Sequence, residues 1–189
     1  MAIIITKRHF DKIIQHCKDY YPAEAGGFLG GKENVVLGIF PLPNLSYMYG
    51  VGAEKTSFKL ADWDTIRTNE FFKQHNMDLI GFYHSHPTRE LPIPSHKDFT
   101  AQRARHLRIM MLVSLADLKE TKVATFTVIP RFSREKIKVI KDDAINKYLL
   151  EMDIKKSAEE YLREEQKLEG RAAEIIAEII MRYEKDEKD

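Results

Sequence analysis

Leu79-Ile80-Gly81-Phe82-Tyr83-His84-Ser85-His86-Pro87 is the stretch on which the reading of this chain turns. Its first five residues are an apolar run the length of a short buried strand. Pro87, which cannot donate to a ladder and fixes its own φ, ends that strand. Residues two apart on a strand share a face, so His84 and His86 are expected to project together. A loop carrying Pro92 and Pro94 then leads to Ser95-His96-Lys97-Asp98, where Ser95 can cap a helix and Asp98 falls in its first turn. Two imidazoles and a carboxylate converging from a strand end and a helix start suit Zn²⁺. A catalytic zinc ion takes three N/O protein ligands and keeps a fourth position for water. A His-x-His pair alone is more often a half-exposed strand face. The proline loop, capping serine and first-turn aspartate make the pattern HSHP-x7-S-x2-D long and chemically coherent.

Upstream of this stretch, Ile3 to Ile5 reads as a short strand and Thr6 as the N-cap of a helix carrying Phe10, Ile13, Ile14 and Cys17 at helical spacing. Cys17 reads as a buried apolar thiol of that helix. Tyr20-Tyr21-Pro22 stops the helix, and Glu24 precedes a Gly-rich turn into a strand over Phe28 to Gly31. Val35 to Phe40 reads as a second strand ended by Pro41-Leu42-Pro43-Asn44. Leu45 to Ser57, with Tyr47 and Tyr49, is irregular; Phe58 starts a strand-like piece. Asp62 caps a helix with Trp63, Ile66, Phe71 and Phe72, and His75 complements its C-terminal dipole.

Downstream, the helix opened by Ser95 is expected to run to Leu107. Its Arg103, Arg105 and His106, with Arg108, form a solvated face, since no aromatic stacking platform accompanies them. Ile109 to Val113 reads as a central buried strand, Val123 to Ile129 as another ended by Pro130, and Ile137 to Ile140 as a last short one. The expected class is α/β: a mixed sheet of six or seven strands flanked by three helices.

With these residues in view, the chain resembles the JAMM (MPN+) zinc metalloproteases, in the prokaryotic-type JAB form, over about residues 1 to 140. His84, His86, Pro87, Ser95 and Asp98 match the zinc motif, and Glu24, in Pro22-Ala23-Glu24-Ala25-Gly26-Gly27-Phe28-Leu29-Gly30, matches the upstream glutamate. The resemblance implies a curved mixed sheet with helices on its sides. It also implies one Zn²⁺ per chain on His84, His86 and Asp98, with Glu24 as general base and then acid, and Ser95 as an oxyanion stabiliser. A plain N-cap role for Ser95 can hold alongside. The implied activity is that of a deubiquitinase-like isopeptidase or peptidase. It would cut after the extended C-terminal tail of ubiquitin or a ubiquitin-like or sulfur-carrier protein, with a lysine, another amine or an amino acid as leaving group. Tyr47, Tyr49 and Phe58 are expected to help hold that tail, a connector lying on the core being the competing reading of their segment. Seven residues separate Pro87 from Ser95, which leaves no room for the extra zinc-binding insertion of some relatives. A non-catalytic MPN scaffold, binding partners through its helical tail, is the alternative; five intact motif residues speak against it.

Composition bounds the rest. A chain of 189 residues with 43% hydrophobic and 31% charged residues fits one globular domain plus an appendage. Thirty basic against twenty-nine acidic residues, net +1, gives no electrostatic case for nucleic acid or an anionic membrane. Cys17 is the single cysteine, which fits a reducing, cytoplasmic setting. Met1 to Ile5 is too short an apolar run for a signal peptide or spanning helix. From residue 141 to 189 the sequence becomes a charged helical extension. Ala144, Ile145, Tyr148, Leu149 and Met152 form one stripe, and Ile175, Ile176, Ile179, Ile180 and Tyr183 a second. Such stripes need cover, from the domain, a homodimer or a partner helix.

Overall fold

The computed structural model describes residues 2–44, 58, 62–129 and 131–145. Strand β1 (Ala2–Thr6) runs straight into helix α1 (Lys7–Asp19), because Thr6 keeps extended dihedrals and its hydroxyl accepts from the His9 N–H at 3.3 Å. β2 (Gly26–Lys32), β3 (Val35–Leu42), helix α2 (Asp62–Gln74) and β4 (Asp78–His86) follow. Helix α3 (His96–Ala104), β5 (Ile109–Ser114), β6 (Lys122–Thr127), β7 (Ser133–Ile140) and a 3₁₀ turn at Asp142–Ala144 complete the described elements.

The strands lie in the order β1-β3-β2-β4-β5-β6-β7, and β7 returns to pair with β1. The expected mixed sheet with flanking helices is therefore present, and its curvature carries it to closure as a barrel. β1 pairs parallel with β3 and β7, and β4 parallel with β5; the other ladders are antiparallel.

Alternation along the strands sorts the core. Ile3, Ile5, Leu29, Ile109, Met111 and Val113 face α1 and pack with its Ile13 and Cys17. On the opposite face Ile4, Phe28, Phe40 and Leu42 pack with Phe71 and Phe72 of α2, while Met110, Leu112 and Phe126 pack with Phe99 of α3. A bulge decides which face receives the histidines. Leu29 opposes Gly81 but Gly30 opposes Leu79, so Ile80 is the extra residue. Beyond it Tyr83 and Ser85 turn to the α1 side, where Tyr83 packs in the core and its hydroxyl lies 3.0 Å from His16 Nδ1. Phe82, His84 and His86 therefore share the face bearing α2 and α3.

The structure departs from the expected boundaries in four places. β3 runs through Pro41 to Leu42. Among the described residues β1 covers only Val35 and Val36, so the far half of β3 has a ladder on one side there and tolerates a residue without an N–H. α3 stops at Ala104 instead of reaching Leu107. His106 adopts φ 54°, and the His106 and Leu107 N–H groups bond back to Arg103 and Gln102 in a Schellman ending that turns Leu107 into the core. Asp62 is the first residue of α2, not the cap before it. Phe58 lies in irregular backbone, drawn in by packing against Phe82, with ring centroids 5.7 Å apart.

Tyr47, Tyr49, the Trp63 side chain, Pro130 and both stripes beyond Ile145 lie outside the described residues. Ile145 itself is buried against the α2 face of the sheet. Among the described residues no helix is long and apolar enough to cross a membrane.

Candidate metal centre

β4 ends at His86, and α3 begins ten residues later at His96. The loop between them is braced. Pro87 and Pro92 are buried, Ile93 N–H bonds Leu91 C=O at 2.9 Å around Pro92, and the Arg89 guanidinium donates to the Ile93 carbonyl at 3.2 Å. The Ser114 hydroxyl at the end of β5 donates to the Arg89 carbonyl. Such bracing fixes where α3 starts relative to β4.

Ser95 caps α3 through a full capping box: its hydroxyl accepts from Asp98 N–H at 3.2 Å, and the Asp98 carboxylate accepts from Ser95 N–H at 2.6 Å. The same box holds the Asp98 carboxylate against the histidines. His84 Nε2 lies 3.3 Å from Asp98 Oδ1, His86 Nε2 lies 3.4 Å from Oδ2, and the two Nε2 atoms are 3.1 Å apart. Both imidazoles are about 95% buried, and one ligand atom from each of the three residues falls within a span of 4.8 Å.

This donor set fits a metal ion. Two ring nitrogens facing each other at hydrogen-bond distance beside a carboxylate concentrate lone pairs that a cation would satisfy together. The Nδ1 atoms of both rings are buried without a hydrogen-bond partner among the described residues, so each ring commits its Nε2 edge to the cluster. Burial lowers the pKa of His86, which favours the neutral, ligating form. Burial works against ionised Asp98, but the two histidine rings and the Ser95 N–H outweigh it and hold the carboxylate far below its usual range.

Glu24 comes to this cluster from the segment before β2. It is 9% exposed, and burial, with the Asp98 carboxylate adding to it, pushes its pKa up to about 7; the His84 ring, the Arg89 guanidinium and the Phe58 N–H pull the other way. Its main chain lies just outside the β2 ladder, which begins at Gly26. Ser85, between the two histidines but on the other face of β4, takes hold there: its hydroxyl accepts from Ala25 N–H at 2.9 Å and its N–H donates to Ala25 C=O at 2.8 Å. The buried Asn44 amide donates to the Glu24 carbonyl at 2.6 Å. Cys17 is fully buried, its thiol pushed up to about 12 by burial against a smaller opposing contact with Ser85, which disfavours the nucleophilic thiolate.

The structure thus brings together His84, His86, Ser95, Asp98 and Glu24. Of the residues expected to hold a substrate tail, Phe58 lies beside Glu24 through its backbone N–H, while its ring packs against Phe82. Sequence reading passed over Ser85, Arg89 and Asn44. Strand alternation opposes Ser85 to the histidines, so a contact through the far face was deducible. Asn44 carried only the signal of a turn residue after two prolines.

A family model described as prokaryotic homologues of the JAB domain matches residues 6–128. Among solved structures, a protein from Desulfitobacterium hafniense is 21% identical at a TM-score of 0.59, the match covering 73% of this chain and 92% of that one. A protein from Salinibacter ruber is 25% identical at a TM-score of 0.52, over 74% of this chain and 92% of that one. A JAB1/MPN domain protein from Archaeoglobus fulgidus is 17% identical at a TM-score of 0.48, over 72% of this chain and 98% of that one. No curated protein matches the chain.

Proposed function

The chain belongs to the prokaryotic JAB family, and we propose that it is a zinc-dependent metallopeptidase of the JAMM type. On this reading it hydrolyses the amide bond after the extended C-terminal tail of ubiquitin or a ubiquitin-like or sulfur-carrier protein. The observation that carries the reading is the meeting of the His84-His86-Asp98 cluster with the buried Glu24 carboxyl. A metal-dependent hydrolase needs both halves: a place for a Lewis acid and a base beside it.

His84, His86 and Asp98 would hold the zinc. When bound, zinc supplies Lewis acidity for the scissile carbonyl and for water. Glu24 takes a proton from the attacking water and returns it to the departing amine. Ser95 accepts the Asp98 N–H through its oxygen and keeps its own O–H to donate to the developing oxyanion. Leu91 and Ile93, exposed on the braced loop beside the cluster, offer apolar contacts of a kind suited to a polypeptide.

The test is cleavage by zinc-loaded protein of a panel of ubiquitin-like and sulfur-carrier proteins with an aminocoumarin amide on their C-terminal Gly-Gly. The reading expects release of the coumarin from at least one, and a loss of roughly a hundredfold or more in Glu24→Gln with zinc retained. No release from any member, or full activity in Glu24→Gln, would contradict it.

A further inference from the structure

We infer that Asn44 is a positioning residue for the reaction, holding the Glu24 main chain so that its carboxyl stays at the cluster. This inference rests on the role of Glu24 proposed above. The β2 ladder starts at Gly26, which pairs with Leu42 on one side and His84 on the other, so sheet register does not fix Glu24. Ala25 is held by Ser85 from β4. The Glu24 carbonyl is held from the opposite flank by Asn44, two residues past the end of β3, through a 2.6 Å hydrogen bond. Asn44 is fully buried, so water does not compete for that bond. The Glu24–Ala25 unit is thereby clamped between the two strands that flank β2. One of these strands carries the histidines, and Asn44 supplies the hold on its other side. Where the Glu24 main chain is held sets the reach of its carboxyl, and displacements on the ångström scale at a reacting group cost about a hundredfold in rate.

Asn34, half-buried, supplies a control. Its amide donates to the Ala2 carbonyl, also at 2.6 Å, at the start of β1 and outside the cluster described above. Asn44→Ala and the isosteric Asn44→Asp are compared with Asn34→Ala in zinc-loaded protein, with zinc per chain, melting temperature and the Glu24 carbonyl ¹³C resonance measured alongside. The substrate is whichever Gly-Gly coumarin amide the wild type cleaves. The expected result is a kcat lowered about ten- to a hundredfold in both Asn44 variants, with KM within about twofold, zinc unchanged and the Glu24 carbonyl resonance displaced. Asn34→Ala is expected to lower the melting temperature without lowering kcat. Wild-type kcat in either folded Asn44 variant overturns the inference and leaves the role of Glu24 standing. An equal kcat loss in Asn34→Ala also overturns it, because the effect would then be general destabilisation. A zinc-loaded wild type that cleaves no probe overturns the functional reading and the inference with it.

Discussion

Glu24 shows how much of a site one residue's surroundings decide. Burial raises its pKa from 4.5 to about 7, so the folded protein holds the proton more tightly than the unfolded chain does. The associated stability is fully present below about pH 4.5 and is lost as the pH rises through 7. Gln cannot ionise and escapes that loss. In metal-free protein, Glu24→Gln should therefore gain on the wild type between these pH values, by on the order of 2–3 kcal/mol. Chemical denaturation at intervals from pH 4 to 8 checks this; a stability difference that stays flat with pH would contradict it. The sequence showed Glu24 only as a glutamate before a glycine run, and its weight came from matching a motif. His84 and His86 were more legible, since a two-residue repeat fixes a shared face whatever surrounds it. Which face they take was not legible. That depends on Ile80 bulging out of the β2–β4 ladder, and nothing in Leu79-Ile80-Gly81 marks a bulge except the glycine.

At the scale of elements, the starts of helices were readable and their ends less so. Thr6 and Ser95 announce α1 and α3 because a side chain that accepts an orphan N–H is a local device. The end of α3 is a tertiary matter. Leu107 must reach the core, and the chain breaks helix two residues earlier, putting a histidine where a left-handed residue is required. A non-glycine residue in that region costs about 1–2 kcal/mol, part of which glycine returns as entropy of the unfolded chain. His106→Gly should consequently stabilise the protein by about 0.5–1 kcal/mol, read as a rise in melting temperature. Unchanged or lowered stability would show that the His106 side chain makes a compensating contact. Pro41 makes the same point for strands. A proline marks a strand end only where both sides of the strand are paired, and among the described residues β3 is paired on one side there.

Across the whole molecule, the α/β class and the strand sequence followed from patterns of two and 3.6 residues, whereas closure did not. Closure rests on β7 pairing in parallel with β1 across more than a hundred residues, and β7 is largely exposed, so its apolar signal was weak. The architecture explains the site. On the barrel face that carries α2 and α3, the last residues of β4 meet the first turn of α3. The braced loop from Pro87 to Ser95 sets their separation, so a metal at this point would tie strand to helix and stabilise the fold as well as serve chemistry. That tie is the central claim, and zinc content by elemental analysis tests it most directly, on wild type and on His84→Ala, each purified and then dialysed against metal-free buffer. The account predicts about one zinc per chain in the wild type and a large loss in the variant. A wild type without zinc, or a variant that keeps its full complement, would contradict it.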